Sequence, residues 1–412
     1  MSVTSGAARR VVCILCRGVK MMCGRPYCPA LAIKRANVKL ASVASDRLEG
    51  STPPSVYVGW RGYPRVRIGP AAPPQIGDTG VFETPEAWLE RGIEEVLEMR
   101  LSLVRGLSRA HVKERGDKVV EALRELALSS SPVEVEMKFL RPPRGGPLLD
   151  PHAPPMGPSG ILDRVKILGN PKVDKHVEKA YGDTDLRASE AVVSLYKAGI
   201  PVSAIQRLLS VGALGTARRR KLVPTRWSIT AVDDVISKHL LDEIREFPWL
   251  NEVRLYLRRY AKNLFAAILA PGAWSFEWIE AWFPGTTWNR GREVEIEGDS
   301  EGYWGRATYA SIGGCYYAAR LATCEHLYRL RRQAVAVVVR EIYEGFDLPI
   351  GVWFVRENLR KMYSSPPLRF DTVEEALLHL AGVTRLSLDT WLRSSRLLRS
   401  LLTQEALDAF MR

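Results

Sequence analysis

No stretch of this 412-residue chain approaches the ~20 consecutive apolar residues that a membrane-spanning helix needs. At the N-terminus, Arg9 and Arg10 are followed only by Val11 to Leu15 before Arg17 interrupts, an apolar core too short for a signal peptide. Cysteine is scarce: there are six, and Cys13, Cys16, Cys23 and Cys28 crowd into one short window. A disulfide framework would spread over the chain, so we expect an intracellular, cytoplasmic protein whose thiols serve another purpose. Up to Leu40 there is no Asp or Glu at all. Neither a Walker-type phosphate loop nor a Gly-x-Gly-x-x-Gly fingerprint occurs, so an ATPase or dinucleotide fold has no motif support. No internal repeat appears.

What is present is an ordinary globular composition, 46% hydrophobic and 25% charged, with a basic excess. The 59 Lys and Arg outnumber the 46 Asp and Glu, giving a net charge of +13. That balance favours a polyanionic partner, nucleic acid first, although it also serves solubility.

Residues 1–45 stand apart as a basic, cysteine-bearing segment. Short strands are expected at Val56–Val58 and Arg65–Ile68, and a longer one over Val133–Phe139, which alternates strictly. Helices are expected over about 85–104, 119–128, 186–198, 202–210 and 231–246. Seven prolines make 142–158 a loop, functional or disordered. Beyond Pro248, six tryptophans from Trp249 to Trp304 crowd a region of turns and strands. They could form a stacking platform for unpaired bases, although core filling is the usual role of such residues. A helix over 314–332, apolar strands at 334–339 and 350–355, and two helices within 372–402 complete the reading. The fold class is α+β: a two-part mixed α/β body between a four-cysteine module and C-terminal helices with a tail. The expected domains are 1–45, 46–250, 251–402 and 403–412.

Four thiolates at the spacing of Cys13, Cys16, Cys23 and Cys28 can close a tetrahedron around zinc. An iron–sulfur cluster is the competing occupant, and reduced, buried thiols are the bland alternative. With all four positions filled, a zinc ion would be structural. At the other end, Gln404, Leu407, Phe410 and Met411 follow a spacing that stacks apolar side chains on one face of a 3₁₀ turn. This tail resembles the PCNA-interacting peptide that docks on sliding clamps, with Met411 where a second aromatic ring is usual. Met is adaptable, so weaker docking is the expected consequence.

Arg218, Arg219, Arg220, Lys221, Arg226 and Trp227 join cations to an aromatic. Cations neutralise phosphates and an aromatic face stacks on a base, so this segment is the candidate DNA- or nucleotide-binding site. Asp183, Asp185, Glu190, Asp233 and Asp234 could hold divalent cations for phosphodiester cleavage. Asp183 and Asp185 equally fit a cap for the helix that follows, and we prefer that reading. Asp150 and His152 could be an acid–base pair, or merely loop residues. Leu195–Gly212 has a helix–turn–helix outline, but simple helix packing is the better account.

Longer strings carry a family resemblance. They include Cys13-Ile14-Leu15-Cys16-Arg17-Gly18, Cys23-Gly24-Arg25-Pro26-Tyr27-Cys28-Pro29, Pro53-Pro54-Ser55-Val56-Tyr57-Val58-Gly59 and Pro155-Met156-Gly157-Pro158-Ser159. Further ones are Asn170-Pro171-Lys172-Val173, Asp183-Thr184-Asp185-Leu186 and Arg220 to Thr230. The C-terminal half adds Gly313 to Arg320, Arg332-Gln333-Ala334, Pro349 to Trp353 and Arg356-Glu357-Asn358. With these the chain resembles the archaeal Nre family of DNA repair proteins over nearly its whole length. The resemblance implies a role in DNA repair and contact with the sliding clamp through the C-terminal peptide. It implies no catalytic residues. The expectation is therefore a DNA-binding repair factor recruited to the clamp. The alternative is an enzyme acting on DNA or a nucleotide, with a pocket built from the 150–160 loop and the 218–230 segment. A clamp-bound scaffold without DNA contact is a third reading.

Overall fold

The computed structural model describes residues 13–20, 22, 23, 28, 30, 31 and 45–410, with backbone alone for 404–410. Its contacts divide the chain into two compact units: residues 34–236, and residues 237–412 together with 1–33. The division falls at 236/237, inside one long helix. Both units are mixed α/β with a six-stranded sheet.

In the 34–236 unit the strands are β1 (Arg47–Thr52), β2 (Ser55–Val58), β3 (Arg65–Ala72), β4 (Val104–His111), β5 (Val133–Phe139) and β6 (Ser159–Ile167). Their order is β1-β5-β6-β4-β3-β2, with only β4 and β6 parallel. The alternation of β5 is legible because one face is wet: Val133, Val135, Met137 and Phe139 are buried and Glu134 is exposed. Between β3 and β4 the backbones touch. A Cβ on Gly69 would sit 1.5 Å from the Gly106 carbonyl oxygen, so only glycine fits there.

The expected helix over 85–104 is broken in two. A 3₁₀ segment, Pro85–Glu90, precedes α1 (Ile93–Ser102), and Gly92 between them has a φ of 85°. The helices that follow are α2 (Lys118–Leu128), α3 (Lys175–Gly182), α4 (Ala188–Lys197), α5 (Val202–Ser210) and α6 (Thr225–Ile244). Helix α6 starts six residues earlier than the sequence suggests, so Trp227 lies on a helix and not in an irregular loop. The proline-rich loop is ordered by buried arginines. Arg100 Nε donates to the Pro155 carbonyl (2.9 Å), and Arg105 Nη2 to those of Gly146 (3.1 Å) and Gly157 (3.3 Å).

In the other unit the strands are β7 (Val253–Tyr260), β8 (Asn263–Ala270), β9 (Ser275–Trp282), β10 (Glu295–Glu301), β11 (Val335–Ile342) and β12 (Leu368–Phe370). They run in the order β10-β9-β11-β8-β7-β12. Strand β8 is buried at every position and carries the core with β9 and β11. The helices are α7 (Gly314–Leu330), α8 (Trp353–Tyr363), α9 (Val373–Val383), α10 (Leu388–Ser394) and α11 (Arg396–Phe410). The strand expected at 350–355 is instead the start of α8, because an apolar run buried on all sides carries no period to separate the two. The C-terminal region holds three helices, not two. Glu277 on β9 takes the backbone N–H of Arg396 (2.9 Å) and Leu397 (3.1 Å) and the Ser395 hydroxyl, so a strand carboxylate caps α11.

The tryptophan crowd is mostly core. Trp274, Trp278, Trp282 and Trp288 are buried, while Trp249 and Trp304 are exposed.

Candidate nucleic-acid interface

Three loop segments of the 34–236 unit are knitted together at one end of its sheet. The Val112 N–H donates to the Pro64 carbonyl (2.9 Å), and the Leu222 N–H donates to the Val112 carbonyl (2.8 Å). Arg115 Nη2 reaches the Ala217 carbonyl (2.9 Å), and the Val58 N–H reaches Thr225 Oγ1 (3.0 Å). These bonds hold the 59–64 turn, the 111–115 turn and the 217–227 segment side by side. Ring contacts seal the junction: Tyr63 and Trp227 lie 5.2 Å apart, tilted by 52°. The guanidiniums of Arg226 and Arg61 lie 5.1 and 5.5 Å from the Trp60 ring centre.

The adjoining sheet face is cationic. Arg67 on β3 stands directly opposite Arg109 on β4, and Arg65 opposite His111. All three arginines are exposed, whereas Val66, Ile68 and Ala110 between them are buried. Like charges facing each other across a strand pair are destabilising. Glu114 is an exposed acidic neighbour in the 111–115 turn.

The residues expected at this site divide. Arg218, Arg219 and Lys221 are exposed, and Trp227 is 44% exposed. Arg220 is structural: it donates to the carbonyls of Gly215 and Asp183, both at 2.7 Å, and stacks over Tyr181. Burial lowers its pKa below the ordinary arginine value. Arg226 is half-buried. It donates to His152 Nδ1 (2.9 Å) and lies 3.9 Å from Asp150 Oδ2. Arginine only donates, so His152 Nδ1 is the acceptor in this contact.

Asp150 and His152 stand near each other, with no direct hydrogen bond between His152 Nδ1 and Asp150 Oδ1. These two atoms are 3.8 Å apart, and Asp150 Oδ1 accepts the backbone N–H groups of His152 (2.8 Å) and Ala153 (3.2 Å). The carboxylates do not gather into a cluster either. Asp183 Oδ1 takes the N–H of Asp185 and Leu186 ahead of α4, and buried Asp233 binds Gln206 Nε2 at 2.9 Å. Gln206 and Arg207 are likewise engaged within the unit, so α5 offers no recognition face. A cavity of about 370 Å³ in this unit is lined from 53–54, 80–84, 127–131, 174–177 and 198–208, and by nothing from 150–160 or 218–230.

Sequence reading missed Trp60, Arg61, Tyr63, Arg65, Arg67 and Arg109. The signal was there in Arg65-Val66-Arg67-Ile68, whose alternation puts both arginines on the wet face of a strand.

In the other unit, a helical turn over Cys13–Cys16 is closed by Arg17 (φ 45°) and Gly18 (φ 70°). The thiol of Cys28 would lie 3.1 Å from a Cβ at Gly18. Burial pushes the Cys13 thiol up, and Cys28, Cys16 and Cys23 push it further. Among the described residues no group of three or more His, Cys, Asp or Glu is disposed to hold a metal ion. The donor set nonetheless matches zinc in number and softness. Arg17 ties this turn to the sheet through Glu280 (2.5 Å) and Cys315 Sγ (3.2 Å). Arg340 Nη1 reaches the second oxygen of Glu280 at 3.2 Å. Burial works against ionisation of Glu280, but Arg17 and Arg340 hold its pKa below the usual carboxylate range. Burial and the nearby Glu280 push the Cys315 thiol up to about 11.

The side chains of Gln404, Leu407 and Phe410, and all of Met411, lie outside the described residues. No helix among the described residues is long and apolar enough to cross a membrane.

Two family models cover this architecture, one described as "Archaeal Nre, N-terminal" over residues 22–289 and one as "Archaeal Nre, C-terminal" over residues 301–410. The chain belongs to the archaeal Nre family. Among its Nre relatives, the DNA repair protein NreB of Archaeoglobus fulgidus is 51% identical over 387 residues, covering 94% of this chain and 97% of the relative. The DNA repair protein NreA of Haloferax volcanii is 36% identical over 379 residues, 88% of this chain and 89% of the relative. The DNA repair protein NreA of Archaeoglobus fulgidus is also 36% identical, over 89% of this chain and 92% of the relative. No solved structure matches the chain.

Proposed function

We propose that this Nre protein is a DNA-repair factor that binds DNA at the surface around Lys221 and Trp227 and is recruited to the PCNA sliding clamp by residues 404–411. The observation that carries the DNA reading is the exposed Arg67 facing Arg109, beside the 59–64 turn and the 217–227 segment. A phosphate backbone would relieve that repulsion and release counterions as it binds. The printed names of the Nre relatives support the repair role. Clamp docking rests on the spacing of Gln404, Leu407, Phe410 and Met411, and it would act by raising the effective concentration at DNA. Cys13, Cys16, Cys23 and Cys28 would hold a zinc ion, or in its place an iron–sulfur cluster. Zinc there would order the segment and supply no reaction chemistry. The test is fluorescence anisotropy of labelled DNA across a salt series. Binding that weakens steeply with salt is expected, and no binding at low salt would sink the reading.

The enzymatic alternative draws on the contact between the 150–160 loop and the 218–230 segment, where Arg226 meets His152 and Asp150. Incubation with labelled damaged, forked and single-stranded DNA, with Mg²⁺ or Mn²⁺, decides it. Any covalent change in the DNA supports an enzyme, and none in a sample that binds DNA leaves the accessory reading standing.

A further inference from the structure

We infer that this surface takes single-stranded DNA, with an unpaired base seated against Trp227 and Tyr63. The inference rests on the DNA-binding reading above and narrows its substrate. Trp227 and Tyr63 are large aromatic rings, 44% and 42% exposed, held at the rim of a cationic patch. At 5.2 Å and a 52° tilt they touch edge toward face and not in a parallel stack, so the contact covers at most one face of each ring. Trp60 differs: the guanidiniums of Arg61 and Arg226 already lie against its ring.

A duplex keeps its base faces inside the stack and presents only phosphates and groove edges. It would meet the exposed Lys221 and Arg65 and leave the two rings in water. A single strand offers phosphate and base face together, which is the pairing of cation and aromatic found here. The placement is also built. Trp227 lies in the first turn of α6, whose Thr225 hydroxyl accepts the Val58 N–H, and Tyr63 lies in the turn held through Pro64 and Val112. Neither ring swings on a long free loop.

The experiment uses the full chain and three labelled probes: an oligothymidylate strand, the same strand carrying abasic sites, and a duplex of equal length. We expect the intact strand to bind more tightly than the other two, and binding to quench tryptophan fluorescence. Trp227→Ala should weaken single-strand binding about tenfold, the loss of one stacked base, and leave duplex binding within about twofold. Trp227→Phe keeps a ring and should restore most of the affinity, with an unchanged melting temperature showing that the fold is intact. Equal loss for strand and duplex in Trp227→Ala, or equal binding of intact and abasic strands by the native chain, would overturn the single-strand inference while the DNA reading stands. An RNA strand bound tenfold more tightly than DNA would overturn the choice of DNA. No binding of any probe would overturn both.

Discussion

The Arg17 guanidinium meets the Glu280 carboxylate at 2.5 Å, joining the cysteine-bearing turn to β9, the second strand from one edge of its sheet. Burial works against the Arg17 charge, yet Glu280 and Cys315 hold its pKa above the ordinary arginine value. Both partners are almost fully inaccessible. Breaking such a pair from one side leaves an uncompensated buried charge, which costs about 3–5 kcal/mol. Glu280→Gln should therefore lower the thermal midpoint strongly, because Arg17 and Arg340 both lose their carboxylate, and Arg17→Ala should lower it less, because Arg340 still holds Glu280. Differential scanning calorimetry at pH 7 measures this, and a change within error in both variants would contradict the account.

His326 gives a pH dependence with a definite sign. Its Nε2 lies 2.9 Å from the Tyr256 hydroxyl, and its ring stacks on Tyr363 at 4.4 Å. Burial first, then Arg329 and Arg254, push its pKa down to about 3. The unfolded chain takes up this proton near pH 6.5, which the folded chain resists. The histidine's stability contribution is therefore complete above about pH 6.5 and falls as pH drops towards 3, by at most about 1.4 kcal/mol per pH unit. Urea midpoints between pH 7 and 4 should fall less steeply in His326→Gln than in the native chain.

For the cysteine cluster, elemental analysis of anaerobically purified protein should find about one zinc per chain. Iron with acid-labile sulfide would assign a cluster instead. Replacing Cys13 and Cys16 together by Ser should release the metal and loosen the N-terminal segment to proteases, because binding and ordering are coupled at such sites.

Arg219→Glu with Lys221→Glu should weaken DNA binding and flatten its salt dependence, since each lost phosphate contact removes about one unit from the slope. Arg220→Ala makes the contrast. Its guanidinium holds Gly215 and Asp183, so it should reduce thermal stability while the salt slope stays. An unchanged slope in the double variant would move the DNA site elsewhere.

Calorimetric titration of the clamp should give tighter binding for the full chain than for a chain ending at Thr403. Phe410→Ala should cost on the order of 2 kcal/mol, roughly thirtyfold, because buried apolar plugs dominate such interfaces. Met411→Phe should tighten the complex. Equal affinity of the full and shortened chains would remove the tail from the account.

Much of the secondary structure was legible where one face of an element is wet. Strand β5 alternates because Glu134 points to water, and α2 is bounded by Asp117, which accepts the N–H of Val119 and Val120. The failures came where burial erases the pattern. Residues 350–355 are buried apart from half-buried Gly351, so no wet face marks their period, and the early start of α6 hid behind Pro224 and a non-periodic string.

The sequence by itself determined the kind of protein: a basic chain with one dense cysteine cluster, an aromatic–cation segment at 218–227 and family strings along nearly its whole length. Those are properties of residue identity and spacing, and they survive without coordinates. Tertiary structure decided which of those residues face outward. It turned Arg220 into a loop clasp, set Arg226 between His152 and Trp60, and brought Tyr63 to Trp227 from 164 positions away in the chain. The reason is that local pattern records which groups a segment carries, whereas the strand order and the hydrogen bonds between distant loops decide which of them share a surface.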